Sequence, residues 1–255
     1  MSLTRLEDLE GRQLLSGGIG TAQTVGPQAA LAIVEGLSPA NGALRAAALP
    51  TAVQVANAIG GVARGELINA LTGVSYSGSD NWGNQIKTPF GKKNHGTWTR
   101  YDGAPSNLNE TIVFTVSNAK VKKTTLTFDV FVKVQVRVNA EVRIYNRGVR
   151  LLEVSGSGRQ DVEGRFSFAI TRTSRTALNL TTTRSDVQLK RLELDRIGHL
   201  GGEAARLVGD TITGAVRKWK PNIIQDVQSR ANDSVVNTVQ GDVDVKKLVL
   251  KALGA

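Results

Sequence analysis

Residues 126–144 read LTFDVFVKVQVRVNAEVRI. Every even position is apolar: Leu126, Phe128, Val130, Val132, Val134, Val136, Val138, Ala140, Val142 and Ile144. Every odd position except Phe131 is polar or charged. Successive strand side chains point to opposite faces, so this run predicts one unbroken oily face backed by one wet face over nineteen residues. A typical strand has about five or six residues. The run is therefore one long bent strand, or two strands joined without a change of face. A helix is excluded, because its period would scatter the same apolar residues around the axis. An apolar face this long demands a sheet that curls around other elements to bury it.

The neighbouring sequence supplies both sheet and helices. From residue 97 to 195 the chain reads as antiparallel strands: TWTRY, TIVFTV, the long run, VRLLEVSG, GRFSFAI with Phe166, Phe168 and Ile170 alternating, and ALNLTTTRSDVQLKRLEL. The separators SNAKVKK, YNRG and SGSGRQDVEG carry turn residues, and NRG suits a tight hairpin. Residues 51–73 predict an amphipathic helix capped by Thr51, with Val53, Val55, Ala56, Ile59, Val62, Leu67, Ile68 and Leu71 favouring one face. Its glycines, Gly60, Gly61 and Gly65, weaken it but permit close approach of another backbone. Residues 74–96 are polar and turn-rich, and predict a long loop. Residues 197–240 return to helical spacing through Ile197, Leu200, Ala204, Leu207, Val208, Ile212, Val216 and Trp219 and then Ile223, Ile224, Val227, Ala231, Val235 and Val239, with Pro221 expected to kink or restart the helix. Residues 243–253 predict a short terminal strand or helix. Residues 1–50 read as an N-terminal tag and a Gly/Ala-rich arm, with a short helix at PQAALAIVEGL, and residues 51–255 as a single α+β domain.

The composition removes most chemistries. With no cysteine there is neither a disulfide nor a thiolate metal site. The two histidines, His95 and His199, belong to no paired metal motif, so no metal is expected. SGSG at 155–158 lacks the glycine–serine elbow of a hydrolase and reads as a turn. GGIG and IGGVARG lack the strand–turn–helix setting of a phosphate loop. Glu153, Asp161 and Glu163 read as solvated strand-edge acids. No catalytic residue and no cofactor is assigned, and the chain is expected not to be an enzyme. No apolar run is long enough to span a bilayer as a helix, and the N-terminus carries charges where the apolar core of a secretory signal would stand.

The formal charge of +10 is unevenly spread: residues 84–150 hold twelve Lys/Arg against four acids, whereas residues 1–83 hold four against six. Lys87, Lys92, Lys93, Lys122, Lys123, Lys133 and Arg137 are the candidate contacts for an anionic surface, either a membrane or a polymer such as a glycan. Trp82, Phe90, Trp98 and Tyr101 are interleaved with basic residues, the pattern of single-strand binders. No RRM, KH, helix-turn-helix or zinc-finger signature accompanies them, which argues against nucleic acid.

The order of elements across roughly residues 51–241, helix, long-stranded antiparallel sheet, then a long helix reading KWKPNIIQDVQSRANDSVVNTVQ, resembles the tubular lipid-binding (TULIP) superfamily, which includes the bactericidal/permeability-increasing proteins. The resemblance implies long twisted strands rolled around a long helix, and a lipid or another elongated hydrophobic molecule held between them. Phe128, Val130, Val132, Val134, Val136, Val138, Phe166, Phe168, Ile170, Ile212 and Val216 are then the candidate apolar lining. The same wall fits a sheet filled entirely by its own helices, or a START-like helix-grip fold. Residues 9–15, LEGRQLL, resemble the LEPR-XLL motif of exported and surface proteins of planctomycete bacteria, with Gly11 in place of the proline. That resemblance implies a periplasmic or surface location in the bacterial cell envelope.

Overall fold

The computed structural model describes residues 49–195 and 201–254; the motif at 9–15, the helix at PQAALAIVEGL, GGIG and His199 lie outside them. The fold is α+β. A seven-stranded antiparallel sheet curls around three helices, α1 (Ala52–Leu71), α3 (Gly202–Gly241) and α4 (Val243–Ala252), with a one-turn α2 (Leu108–Thr111) in a connection. The strands are β1 (Tyr76–Asn81), β2 (Asn84–Thr88), β3 (Gly91–Pro105), β4 (Val113–Lys122), β5 (Thr125–Asn146), β6 (Val149–Arg172) and β7 (Leu178–Asp195).

The long alternating run is one strand. β5 has 22 residues and β6 has 24, and they pair along their whole length. At roughly 3.3 Å per residue β5 follows a path of ~73 Å; α3, with 40 residues, spans ~60 Å at about 1.5 Å per residue. One element therefore nearly matches the other. Even-numbered residues of β5 and β6 oppose one another on the concave side: Leu126 with Ile170, Phe128 with Phe168, Val130 with Phe166 and Val134 with Val162. The odd-numbered residues oppose one another on the convex side, where Lys133 meets Glu163 and Arg143 meets Glu153. β3 and β4 share the other edge of β5, β4 along its first half and β3 along its second.

The core lies between this concave wall and the helices. Thr51 opens α1 through a capping box with Gln54. Val55, Ile59, Ala63 and Leu67 on one face of α1 are fully buried. A Cβ at Gly60 would lie 2.7 Å from Val116, so that glycine lets α1 rest against β4.

Several expectations need correction. Residues 74–96 are not a loop: β1, β2 and the start of β3 occupy most of them, and the sheet begins at Tyr76. These strands lie at the sheet margin and, apart from the buried Tyr76, carry polar residues, glycine or the half-buried Ile86, so they show no alternating apolar signal. SGSG is not a turn, and VRLLEVSG and GRFSFAI are not two strands; both belong to β6, and residues 155–158 lie opposite Val138–Glu141 in unbroken register. Glycine is favoured at 158 by packing, because a Cβ there would lie 2.9 Å from the Glu193 carbonyl oxygen on β7. SNAKVKK is mostly strand, with a register shift between Ser117 and Lys120 that places Asn118 at φ 54°. Glu153, Asp161 and Glu163 are not edge residues but part of the convex ladder of charges between β5 and β6. Pro221 does not restart the helix: α3 is continuous from Gly202 to Gly241. The terminal element is a helix. The hairpin at YNRG forms as expected, with Arg147 and Gly148 both at positive φ.

Candidate functional site

α3 lies in the concavity, and its two flanks are held in different ways. On one flank β1 and β3 clasp it. The Tyr76 hydroxyl donates to Asp226 at 3.0 Å, and Lys218 Nζ donates to both carboxylate oxygens of Asp80 at 2.5 and 2.7 Å and to the Tyr101 hydroxyl at 3.2 Å. Trp219 packs between the two tyrosine rings, 5.7 Å from Tyr76 and 5.4 Å from Tyr101. Burial first, then the hydrogen bond to the Asp226 carboxylate, pushes the Tyr76 phenol above its ordinary range. The hydrogen bond from Lys218 holds Asp80 below the usual carboxylate range, and the same bond raises Lys218. Gly103 makes the close contact possible: a Cβ there would lie 2.8 Å from the Trp219 ring.

The other flank is a groove. Between β7 and α3 runs an open cleft of about 680 Å³ lined by Thr182, Thr183, Arg184 and Ser185 of the strand and by Pro221, Ile224, Gln225, Gln228, Ser229, Asn232 and Asp233 of the helix. Its origin is local. β6 and β7 shift register between Ser167 and Phe168, so Phe168 opposes Thr182 while Ser167 opposes Arg184, and Thr183 is the extra residue. Thr182 and Ser185 thus face the concave side where the rest of β7 presents Leu178, Leu180, Val187 and Leu189. Across the cleft, Gln225, Gln228, Ser229 and Asn232 recur at i, i+3, i+4 and i+7, a neutral polar stripe on one face of α3. Pro221 at the head of the stripe has no N–H to donate to the Arg217 carbonyl. One side-chain hydrogen bond crosses the cleft among the described residues, from the Thr182 hydroxyl to Asn232 Oδ1.

Directly behind Thr182 and Ser185 stand their cross-strand partners on β6, Phe168 and Phe166, each 1% exposed. Their rings lie 6.3 Å apart, and Phe128 stacks on Phe168 at 5.5 Å. A shallow polar seam therefore lies one residue away from the apolar wall.

No protein family profile and no curated protein matches this chain. A solved structure that it resembles is that of a lipopolysaccharide binding protein, at 16% identity, over 75% of this chain and 38% of that one, with a TM-score of 0.42. The chain spans 38% of that protein's length, and no residue role is carried across from it.

Phe128, Val130, Val132, Val134, Val136, Val138, Phe166, Phe168 and Ile170 of the wall and Ile212 and Val216 of α3 all lie in one buried core, each at most 7% exposed. None of them lines the seam. The basic candidates do not form one face. Lys87, Lys92 and Lys93 sit on the β2–β3 hairpin, beyond the Tyr145 end of β5, while Lys122 and Lys123 sit at the Thr125 end. Lys133 lies between the ends and is bound to Asp161 at 2.8 Å, which raises its pKa. Arg137 lies directly opposite Arg159 on the convex side. Among the described residues, no cluster of His, Cys, Asp or Glu could hold a metal ion, and no helix is long and apolar enough to cross a membrane. His95 accepts the backbone N–H of Arg147 at Nδ1, 3.3 Å away.

The seam residues were missed because each is an ordinary polar residue. The available signal was double: the alternation of β7 lapses at TTTRS, and the amides of α3 repeat at helical spacing.

Proposed function

We propose that this chain binds a lipid or another elongated hydrophobic molecule, without chemistry on it, and that the ligand enters along the seam between β7 and α3. The observation that supports this reading is the asymmetry of the two flanks of α3. On the β1 side a charged, aromatic clasp ties helix to sheet. On the β7 side mostly polar residues, Arg184 and Asp233 among them, line about 680 Å³, with one hydrogen bond and no ion pair across it among the described residues. Parting β7 from α3 breaks no ion pair among the described residues and leads straight to Phe166 and Phe168. The cleft lies within the size range of ligand sites, roughly 300–1,000 Å³. A buried methylene contributes ~0.8 kcal/mol, so about ten methylenes of an acyl chain would supply the ~8 kcal/mol of micromolar binding. The amides of Gln225, Gln228 and Asn232 would stay at the mouth, beside a polar head.

Organic extraction of the purified protein followed by mass spectrometry, together with titration of a fluorescent fatty acid, tests this. The expected result is a bound lipid, with probe affinity reduced at least tenfold by Ser185→Trp, which fills the cleft, and unchanged by Lys133→Gln on the convex side. No extractable lipid and no probe binding would refute it. We further propose that the protein works in the bacterial cell envelope or outside the cell, a reading that rests on residues 9–15; fractionation of cells expressing the whole chain checks this.

A further inference from the structure

The β2–β3 hairpin leaves the body of the sheet as a separate finger. Pairing of β3 with β1 stops at Trp98, and its pairing with β5 stops at Gly96. Beyond that point β3 pairs only with β2, from His95 with Asn84 to Gly91 with Thr88. The departure is made by two glycines in contact. A Cβ on Gly96, at φ +92°, would lie 2.6 Å from Gly83 Cα. A Cβ on Gly83 would collide with the His95 carbonyl oxygen. The finger is braced, because the backbone N–H of Gly148 in the β5–β6 turn donates to the Asn94 carbonyl at 2.8 Å, and that of Arg147 donates to His95.

The surface so built is unusual in two respects. First, it gathers exposed apolar side chains. Phe90 at the fingertip is 89% exposed, Trp82 at its base 84%, and Val149 and Leu151 just past the β5–β6 turn 64% and 63%. The other large hydrophobics exposed among the described residues reach 63% at most and lie elsewhere in the chain. Second, the charge of the finger has one sign. No acid occurs between Asp80 and Asp102, while Lys87, Lys92 and Lys93 fall within that span and Arg147 adjoins it. Lys87 pairs directly opposite Lys92, a like-charge cross-strand pair that opposes hairpin formation. None of these four cations is ion-paired among the described residues.

We propose that the β2–β3 finger and the adjoining β5–β6 turn form a docking surface for an anionic phospholipid bilayer, with Phe90 and Trp82 entering the headgroup layer and Lys87, Lys92, Lys93 and Arg147 meeting lipid phosphates. A bilayer interface takes both components at once. Aromatic rings settle at the headgroup level, and cations are drawn to the negative surface potential within about a Debye length. A soluble polyanion would satisfy the lysines but leave Phe90 and Trp82 in water. Docking by the finger is independent of the seam, which belongs to other elements, so a protein that carries no extractable lipid can still dock.

The test is flotation of the full chain with phosphatidylcholine vesicles, with and without phosphatidylglycerol, at low and high salt. Binding is expected only with phosphatidylglycerol and is expected to fall with salt. Each lysine at an anionic surface is worth about a fivefold change in affinity, so K87Q/K92Q/K93Q should weaken binding by roughly a hundredfold. F90S should weaken it severalfold, and K122Q/K123Q at the far end of β5 should bind within about twofold of the parent. Trp82 emission should shift to the blue on binding, a signal absent in W82F. Thermal melts of each variant within a few degrees of the parent establish that the fold is kept. The proposal is overturned if neutral vesicles bind equally, if the fingertip variants bind as the parent does, or if soluble polyphosphate binds with an unchanged affinity for F90S and removes the protein from vesicles whose binding F90S also leaves unchanged.

Discussion

Replacing Phe168 by alanine separates a wall packed by the protein's own helices from one that lines an empty ligand space. Phe168 is 1% exposed and stacks on Phe128 at 5.5 Å and on Phe166 at 6.3 Å. Deleting a packed phenylalanine costs ~3–5 kcal/mol, the spread reflecting how far the site collapses. The ring–ring contacts place the cost toward the upper part of that range. With an unfolding entropy of roughly 2 cal/mol/K per residue over about 200 residues, each kcal/mol lowers the melting temperature by ~2–3 °C, so F168A should melt ~8–12 °C below the parent. The assay is urea and thermal unfolding of protein stripped of lipid by organic extraction and refolded. Phe131→Ala is the reference, because Phe131 is half-buried on the convex side opposite Arg165; it should lose under about 1 kcal/mol. If stripped F168A also loses less than 1 kcal/mol, Phe168 is not held by the core, and the account of a helix-filled wall fails.

Gly103→Ala would put a methyl group 2.8 Å from the Trp219 ring and 3.1 Å from the Arg137 carbonyl oxygen. The carbonyl belongs to a paired strand and cannot yield, so a loss of ~1–3 kcal/mol is expected in urea unfolding, with a change in Trp219 emission; unaltered stability and emission would show that α3 does not bear on β3. The clasp should be sensitive at both extremes of pH. Asp80 is held below its ordinary value of 3.8, so its contribution is present above that value and disappears as pH falls through the depressed one. Lys218 is raised above 10.5, so its contribution is complete below that value and disappears as pH rises through the raised one. The stability difference between the parent and Asp80→Asn should therefore be level through neutral pH and vanish in strong acid; a difference that persisted at pH 2 would exclude the ion pair as its source.

Much of the wall was legible because it is written in a two-residue period. Leu126 through Val142 alternate without a lapse, and β5 follows as one strand with those even residues buried. The basic surface was not legible as two separate ends. Lys87 and Lys122 are 35 positions apart in the chain, yet the pairing of β3 and β4 with opposite halves of β5 sends them to opposite ends of the sheet. The polar strands β1 and β2 left no trace for a related reason. Beyond Tyr76 neither strand fully buries a side chain, and both pair through backbone hydrogen bonds at the margin, whereas a side-chain pattern records burial.

By itself the sequence determined the curled antiparallel sheet, its buried face and the long helix able to cover it, because periodicity is local and burial acts on each residue where it stands. Only the tertiary structure decided what the glycines do and where the sheet is weakly closed. Gly103 and Gly158 resemble turn residues in the chain, but a Cβ at Gly103 would press on Trp219 of α3 and one at Gly158 on the Glu193 carbonyl of β7. Thr182 and Asn232 are unremarkable polar residues fifty positions apart until a one-residue shift between β6 and β7 turns Thr182 inward, toward α3. Such features arise from the meeting of distant segments, and a pattern read along one segment carries no term for its partner.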